Sequence, residues 1–170
     1  NKILRVLEAL DNQLSNGFSY TVRVMDDGSK DNTVEVLAAY KPRNYRYFWD
    51  TQENTGAGGA RNRMLAEVDT ELVVIIGDDT IPAANFLEAH RNAHLAAQDN
   101  KLAVLGLTVW DKSEPITTVM AHIDGLGAQQ FSYFYLKDGE FYDFRHFYTS
   151  NISIRTDFIR SINPIFRHDF

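Results

Sequence analysis

Three polar segments of the chain each lie at or just after the end of an apolar run that is typical of a β-strand. They are residues 26–33, 54–62 and 77–82, and Asp26 and Asp27 open the first of them. Ligands of α/β proteins bind at the carboxyl ends of strands. We therefore expect the three segments to converge on one ligand.

Asp78 and Asp79 follow the apolar run at residues 72–76 and are the clearest candidates for metal ligands. Adjacent carboxylates repel each other unless a cation lies between them, and Mg²⁺ or Mn²⁺ takes such oxygen ligands while bridging substrate phosphates. The pair therefore favours a metal–diphosphate site. The alternative is a solvated turn in which Asp79 caps a helix that begins at residues 82–84.

The second segment is rich in glycine and carries a cation. Gly56, Gly58 and Gly59 lead into a helix with Arg61 near its start, so the backbone can approach a phosphate and the helix amides add positive potential. An anion is the expected ligand. The segment lacks the Gly-Lys-Ser or Gly-Lys-Thr of a Walker loop and the spacing of a dinucleotide fingerprint. The alternative for its glycines is a tight turn with close helix packing.

The elements that must position these side chains follow from hydrophobic periodicity. A first helix at residues 3–10 precedes strand-like runs at 20–25, 45–49, 72–76 and 102–109, which alternate with helical patterns at 33–39, 59–68 and 84–98. Asn32 and Glu35 form a capping-box pattern at the start of the second helix. The alternation predicts an α/β fold with a mostly parallel central sheet flanked by helices. The 170 residues suffice for one domain.

Aromatic residues and histidines offer further candidates. Nine Phe and Tyr residues lie between Phe131 and Tyr148. Packing against the sheet is the first expectation for them, and a platform for sugar rings or a partner surface is the alternative. His90 and His94 are one helical turn apart, which predicts an exposed or capped helix face, with metal binding as the alternative. His146 is a candidate substrate contact.

Composition excludes several classes of protein. The net charge is −6 and the 17 basic residues are scattered, so nucleic-acid binding is not expected. The longest apolar stretch, residues 72–76, is too short to span a membrane. Without cysteine there are no disulfides and no thiolate zinc sites. A cytoplasmic location is the default expectation, with membrane association of the full-length protein as a further option.

The order of four motifs resembles family 2 of inverting, nucleotide-sugar-dependent glycosyltransferases, which have the GT-A fold. The motifs are Asp-Asp-Gly-Ser-x-Asp-Asn-Thr, Asn-Thr-Gly-x-Gly-Gly-Ala-Arg-Asn, Asp-Asp-x-Ile-Pro and Phe-Tyr-Thr-Ser-Asn-Ile-Ser-Ile-Arg, and they span about residues 22–155. The resemblance implies transfer of a sugar from a nucleotide donor, with UDP-sugars favoured, to a carbohydrate or lipid-linked acceptor in polysaccharide biosynthesis. It divides one domain into a nucleotide-binding part at about residues 1–110 and an acceptor-side part at about 111–170.

The resemblance also implies roles for individual residues. Asp26, Asp27, Gly58, Arg61 and Asp78 would bind the nucleotide-sugar. Asp79, together with Asp78, would hold Mn²⁺ or Mg²⁺. Further roles on the donor-sugar and acceptor side would fall to Thr149, Ser150 and Asn151.

Two departures from the family pattern concern the ends of the chain. Relatives begin with a strand that here would precede Asn1, and their catalytic base follows an aromatic segment at a position that here would lie beyond Phe170. Asp169 is a candidate base by position alone. Two other functions stay open: a nucleotide-sugar-binding module without turnover, and a sugar-phosphate nucleotidyltransferase, whose glycine-rich signature would be expected at the first strand end.

Overall fold

The structure is a computed structural model that describes residues 2–111, 113, 115–126, 132–162 and 165–167. Its regular elements also include two short 3-10 turns, at Tyr133–Tyr135 and Phe144–His146. The helices and strands are, in chain order, α1 (Lys2–Asp11), β1 (Thr21–Asp26), α2 (Thr33–Ala39), β2 (Arg46–Thr51), α3 (Gly56–Ala66), β3 (Leu72–Ile76), α4 (Phe86–Ala96), β4 (Ala103–Leu105), α5 (Thr118–Leu126), β5 (Asn151–Arg155) and α6 (Thr156–Arg160).

The strands form two sheets. β1 and β2 pair in parallel, with Thr21 opposite Arg46 and Asp26 opposite Thr51. β5 lies between β3 and β4 and pairs antiparallel with both. Across the described residues, β1 pairs only with β2 and β3 pairs only with β5, so each has one unpaired edge. These two strands face each other across a large cavity.

Each sheet has its own apolar cluster. Ile3 and Leu7 of α1 pack with Leu37 of α2 against side chains of β1 and β2. Leu65 and Ile154 belong to the second cluster, which joins α3 and α6 to β3 and β5. The spacing of apolar residues in α1 places them on one buried face. The helices therefore fix the orientation of the strands whose ends carry the polar segments.

The predicted α/β fold is confirmed, and the structure refines the prediction in three places. β5 was not predicted, because the sequence 151–155 was recognised only as a motif, and this strand makes the second sheet antiparallel. β4 is three residues long instead of the predicted 102–109. The capping box does not form: Asn32 is at the N-cap without a capping bond, and the Thr33 amide donates to Asp31.

Candidate functional site

Asp26 is the last residue of β1, and its carboxylate is buried and held from two sides. The Ser29 amide donates to it at 3.3 Å, and the Thr51 hydroxyl of β2 donates at 3.0 Å. Burial opposes ionisation, but these hydrogen bonds outweigh it and hold the pKa of Asp26 below its ordinary value. Asp26 is therefore a fixed, ionised group at the strand end.

Asp27 joins the first polar segment to the second. Its Oδ1 accepts from the Thr55 amide at 2.9 Å and from Gln52 Nε2 at 2.7 Å, and these bonds lower the pKa of the carboxyl. The chain then turns at Gly28, whose φ is +81° and whose α-carbon faces the Asn54 amide closely. Any side chain at Gly28 would be strained and crowded. The glycine keeps the two loops in contact.

Arg61 lies in α3 and is half-buried. Burial lowers the pKa of its guanidinium, which still stays charged at neutral pH because an arginine is a very weak acid. It lies over the Phe166 ring at 5.6 Å. No carboxylate in the described part of the chain forms an ion pair with it. A partly buried cation without a carboxylate partner suits an anionic ligand.

Asp78 and Asp79 occupy an exposed turn after β3. The Thr80 amide donates to the Gly77 carbonyl at 3.2 Å and closes this turn. The alternative in which Asp79 caps a helix at residues 82–84 is wrong, because α4 begins at Phe86 and Asn85 is its N-cap residue. Both carboxylates are therefore available for ligands from solution.

A cavity of about 1240 Å³ brings four of the predicted residues together. Successive residues of β1 and β3 line its sides. Its polar lining contains the predicted residues Asp26, Asp27, Arg61 and Asp78. Gly58, Asp79 and residues 149–151 are not part of the lining. One acidic pair, one cation and one further carboxylate thus face a common space.

The Thr149–Ser150–Asn151 motif lies beside the turn of Asp78. The Gly77 amide donates to the Ser150 carbonyl at 3.0 Å, which attaches the motif to the end of β3. The Asn151 side chain is buried: its Nδ2 donates to the Leu107 carbonyl, and its Oδ1 bonds His90 Nε2 at 2.9 Å. The polar side-chain atoms of Asn151 thus bond other groups of the protein. The role of the three residues on the donor-sugar and acceptor side stays a prediction.

His90 and His94 are buried in α4, so the expectation of an exposed or capped helix face is wrong. His90 Nδ1 lies 2.7 Å from the Ser153 hydroxyl, and His94 Nε2 lies 2.9 Å from the same oxygen. Together with Asn151 they form a buried hydrogen-bond network between α4 and β5. A metal site at the histidines is not supported, because no group of three or more His, Asp or Glu in the described residues could hold an ion.

The hydrogen-bond network permits only one assignment of donors and acceptors. Because Asn151 Nδ2 donates to a carbonyl, its Oδ1 faces His90, and His90 must donate from Nε2. His90 Nδ1 then accepts from the Ser153 hydroxyl, whose oxygen in turn accepts from His94 Nε2. Burial lowers the pKa of both histidines, as a neutral network requires. No signal in the sequence predicted it, because its members are about 60 residues apart.

The aromatic residues of the described segment 132–148 are mostly exposed. Phe141 and Phe144 expose 81% and 86% of their surfaces, and Phe134 and Tyr135 are exposed as well. Packing against the sheet is therefore wrong for these rings. Phe131 lies outside the described residues, as does Asp169, the candidate base.

The sequence reasoning also missed Asn62. Its Nδ2 donates to the Phe166 carbonyl, and its Oδ1 accepts from the Phe166 amide at 2.9 Å. Phe166 also approaches Gly58, so residues 165–167 cover the start of α3 beside Arg61. Asn62 lies three residues after a glycine pair, and nothing in this part of the sequence indicates that its side-chain amide bonds the Phe166 backbone.

The fold and the shared cavity describe an α/β protein with a candidate ligand site at its strand ends. The family model for glycosyl transferase family 2 matches residues 1–162. The chain belongs to this family. The crystal structure of residues 1–349 of S. aureus TarS is similar over 99% of this chain and 47% of that chain, with a TM-score of 0.60 and 19% identity. This likeness supports the GT-A fold.

Two relatives by sequence bear on function. The poly-beta-1,6-N-acetyl-D-glucosamine synthase of Staphylococcus aureus (strain COL) is 32% identical over 79 residues, which are 44% of this chain and 19% of the relative. The uncharacterized glycosyltransferase YaiP of Escherichia coli (strain K12) is 38% identical over 74 residues, 43% of this chain and 19% of the relative. The aligned part is thus about a fifth of each relative.

Among the described residues, no helix is both long and apolar enough to span a bilayer.

Proposed function

We propose that the full-length protein is an inverting glycosyltransferase that moves a sugar from a nucleotide-diphosphate donor to an acceptor hydroxyl with the help of Mn²⁺ or Mg²⁺. The observation that carries the proposal is the single cavity lined by Asp26, Asp27, Arg61 and Asp78. Membership of glycosyl transferase family 2 supports the same activity. A UDP-sugar is the favoured donor, and a carbohydrate or lipid-linked glycan is the acceptor.

The residues of the cavity divide the work of binding the donor. The fixed carboxylates of Asp26 and Asp27 accept hydrogen bonds from base and ribose donors, and Arg61 neutralises part of the diphosphate charge. Rigid placement of the donor is worth about 7 to 11 kcal/mol of the reaction barrier in favourable cases. The loops suit this task because hydrogen bonds tie them to one another.

The proposed place for the divalent cation is the turn of Asp78 and Asp79. The turn offers two exposed carboxylates, and substrate phosphates commonly complete the coordination of Mg²⁺. When bound, the ion would neutralise the charge that grows on the departing diphosphate. A further carboxylate must take the proton of the acceptor hydroxyl. Asp169 and a residue beyond Phe170 remain the candidates for this base.

The relatives refine the proposed product. The staphylococcal relative is named a poly-beta-1,6-N-acetyl-D-glucosamine synthase. We therefore include UDP-N-acetylglucosamine among the donors to be tested. The expected location is the cytoplasm or the cytoplasmic face of a membrane, where nucleotide-sugars are available to an enzyme of polysaccharide biosynthesis.

The decisive experiment combines binding and turnover in the full-length protein. Thermal shifts are measured with UDP-, GDP- and dTDP-sugars, with and without Mn²⁺, because a ligand of the folded state raises its apparent stability. We expect a shift that needs both donor and metal, and sugar transfer or donor hydrolysis that Asp79→Asn reduces at least about a hundredfold, as is typical for loss of a metal-assisted step.

A matched control separates the site from general effects of charge removal. Asp99→Asn removes one carboxylate charge in the α4–β4 loop and keeps the oxygen that accepts from the Lys101 amide. We expect wild-type turnover from this variant. Metal-independent turnover would reject the assignment of Asp79. Donor binding without transfer would favour the binding module, and formation of a nucleotide-sugar from a nucleoside triphosphate and a sugar phosphate would favour the nucleotidyltransferase.

A further inference from the structure

The segment 132–148 forms a second cavity, of about 580 Å³, which we call the aromatic groove. Its lining consists of four aromatic side chains and four polar ones: Tyr135, Phe141, Tyr142, Tyr148, Ser132, Asp143, Arg145 and His146. Soluble proteins rarely leave several large rings exposed together unless the rings meet a ligand or a partner. The groove is therefore a candidate binding surface.

The rings of the groove are arranged around His146. The centroids of Tyr135, Tyr142 and Tyr148 lie 5.6, 5.3 and 6.0 Å from the His146 ring. The Tyr135 hydroxyl lies 2.5 Å from His146 Nε2. These contacts hold the rings in a fixed relation to one another, and a preformed surface loses less entropy on binding than a mobile one.

The polar part of the groove is an ion pair with no excess charge. Arg145 Nε lies 3.0 Å from both carboxylate oxygens of Asp143, and this pairing lowers the pKa of Asp143 to about 2. Both groups are thus ionised at neutral pH. Together they offer donors and acceptors for hydroxyl groups, and their opposite charges favour neither an anionic nor a cationic ligand.

A neutral saccharide has the chemistry that this surface recognises. One face of a sugar ring presents C–H groups that pack on the electron-rich face of an aromatic ring, and its edge presents hydroxyls that need donors and acceptors. A nucleotide would favour a net positive site, and a purely apolar ligand would leave Asp143 and Arg145 to be desolvated without compensation. The mixed lining fits a glycan better than either.

A short, hydrogen-bonded stretch of chain links the groove to the turn that carries Asp78. Tyr148 lines the groove, and its carbonyl accepts from the Asn151 amide at 3.3 Å. Within this turn the Ser150 carbonyl accepts from the Gly77 amide at 3.0 Å, next to Asp78. A ligand in the groove would therefore contact a segment that is hydrogen-bonded to the end of β3.

From this geometry we infer that the aromatic groove binds the terminal sugars of a neutral glycan acceptor. The role of this glycan as the acceptor rests on the proposed function. The binding of a saccharide by the groove can be measured without turnover. Phe141 and Tyr142 provide the ring contacts, and Arg145 and Asp143 bind the hydroxyls. His146, which directly precedes the fourth motif, acts by holding Tyr135 in place.

The test uses the full-length protein and two variants of the lining, Phe141→Ala and Tyr142→Ala. The matched control is Phe144→Ala, because Phe144 is exposed in the same segment but does not line the groove. Binding is followed by ligand-observed NMR with neutral trisaccharides of glucose, galactose and N-acetylglucosamine. We expect at least one trisaccharide to bind, with affinity about tenfold or more weaker in the lining variants and unchanged in the control.

Kinetics then separate this inference from the proposed function. If the protein transfers sugar, the lining variants should raise the KM for the acceptor and leave the KM for the donor unchanged. If both lining variants turn over with the wild-type KM for the acceptor, the inference that the groove binds the acceptor is wrong, while the enzyme assignment stands. Saccharide binding that the lining variants abolish, without any transfer, would support the groove and reject the enzyme. No binding by any trisaccharide, or an equal loss in the control, would overturn the inference.

Discussion

At the scale of single residues, the site depends on how buried polar groups are satisfied. Asp26 is ionised in a buried position because two neighbours donate to it. Burial lowers the pKa of His90 and favours the neutral ring, on which Asn151 and Ser153 fix one donor and one acceptor. Removing a single partner from such a buried group costs about 1 to 3 kcal/mol. These side chains are therefore sensitive to substitutions that preserve size but alter hydrogen bonding.

Two substitutions of His90 test the assignment of donors and acceptors. The amide of Gln reaches the position of the imidazole Nε2, so His90→Gln can keep the donor to Asn151 and lose the acceptor for Ser153. His90→Asn places its amide near Nδ1 and does the reverse. We expect each to lower the free energy of unfolding by about 1 to 3 kcal/mol in denaturant titrations. His90→Phe, which keeps the ring but neither bond, should cost more than either.

The pH dependence of stability gives a second readout of the same network. Burial lowers the pKa of His90 and His94 below the unfolded value of about 6.5. Between the folded and unfolded pKa values the unfolded chain binds more protons, so stability rises with pH in that window and falls as the solution is acidified below about pH 6.5. The decline should be shallower in His90→Gln. An identical slope in wild type and variant would contradict a neutral, buried His90.

At the scale of elements, β5 connects the site to the rest of the second sheet. The sequence predicted β3 and β1 nearly to the residue, because their apolar runs end at acidic turns. It did not predict β5, although residues 151–155 alternate polar and apolar side chains, with Asn151 and Ser153 at polar positions. Those two residues are polar since they face the histidines of α4 and not a purely apolar layer. The tertiary structure adds that the polar face of this strand is buried against α4.

A pair of glycine substitutions tests this packing. At Gly106, after β4, an added β-carbon would overlap the side-chain amide of Asn151. We expect Gly106→Ala to lower the unfolding free energy by about 1 to 3 kcal/mol, the usual cost of overpacking. Gly58→Ala is the control: its β-carbon would make ordinary contacts of 3.4 and 3.5 Å in α3, and alanine favours a helix by up to about 1 kcal/mol.

The outcome of the glycine pair also bears on ligand binding. If Gly58 lets a phosphate approach the backbone, Gly58→Ala should weaken binding of the donor while the protein stays as stable as wild type. Unchanged donor affinity would remove Gly58 from the site. Equal stability of Gly106→Ala and wild type would show that Asn151 is free to move, which would contradict its role as a fixed member of the network.

At the scale of the whole molecule, the main feature is the gap between the two sheets. β1 and β3 each have an unpaired edge in the described residues, and both line the cavity of about 1240 Å³. Lys2 and Ile3, at the start of α1, line it as well. An extended segment that lay between these edges and continued into α1 would pair with both and join the sheets into one. The strand ends that carry Asp26 and Asp78 would stay open to a ligand. The resemblance predicts a strand upstream of α1.

Hydrogen exchange in the full-length protein tests this arrangement. If an upstream strand lies between β1 and β3, the alternate amides of these strands that do not bond β2 or β5 should exchange as slowly as those that do. Rapid exchange of these amides, as from open strand edges, would contradict the upstream strand.

The sequence by itself determined the order of the elements as far as β4, the α/β fold and the polar segments at the strand ends, because these follow from local periodicity and from turns that only certain residues permit. It also made Asp26, Asp27, Arg61 and Asp78 candidates for one site. Only the tertiary structure decided that these four line one cavity, that His90 binds Asn151, and that the aromatic groove is open to solvent. Such contacts join residues far apart in the chain, and their energies depend on distance and burial, which a linear sequence does not contain.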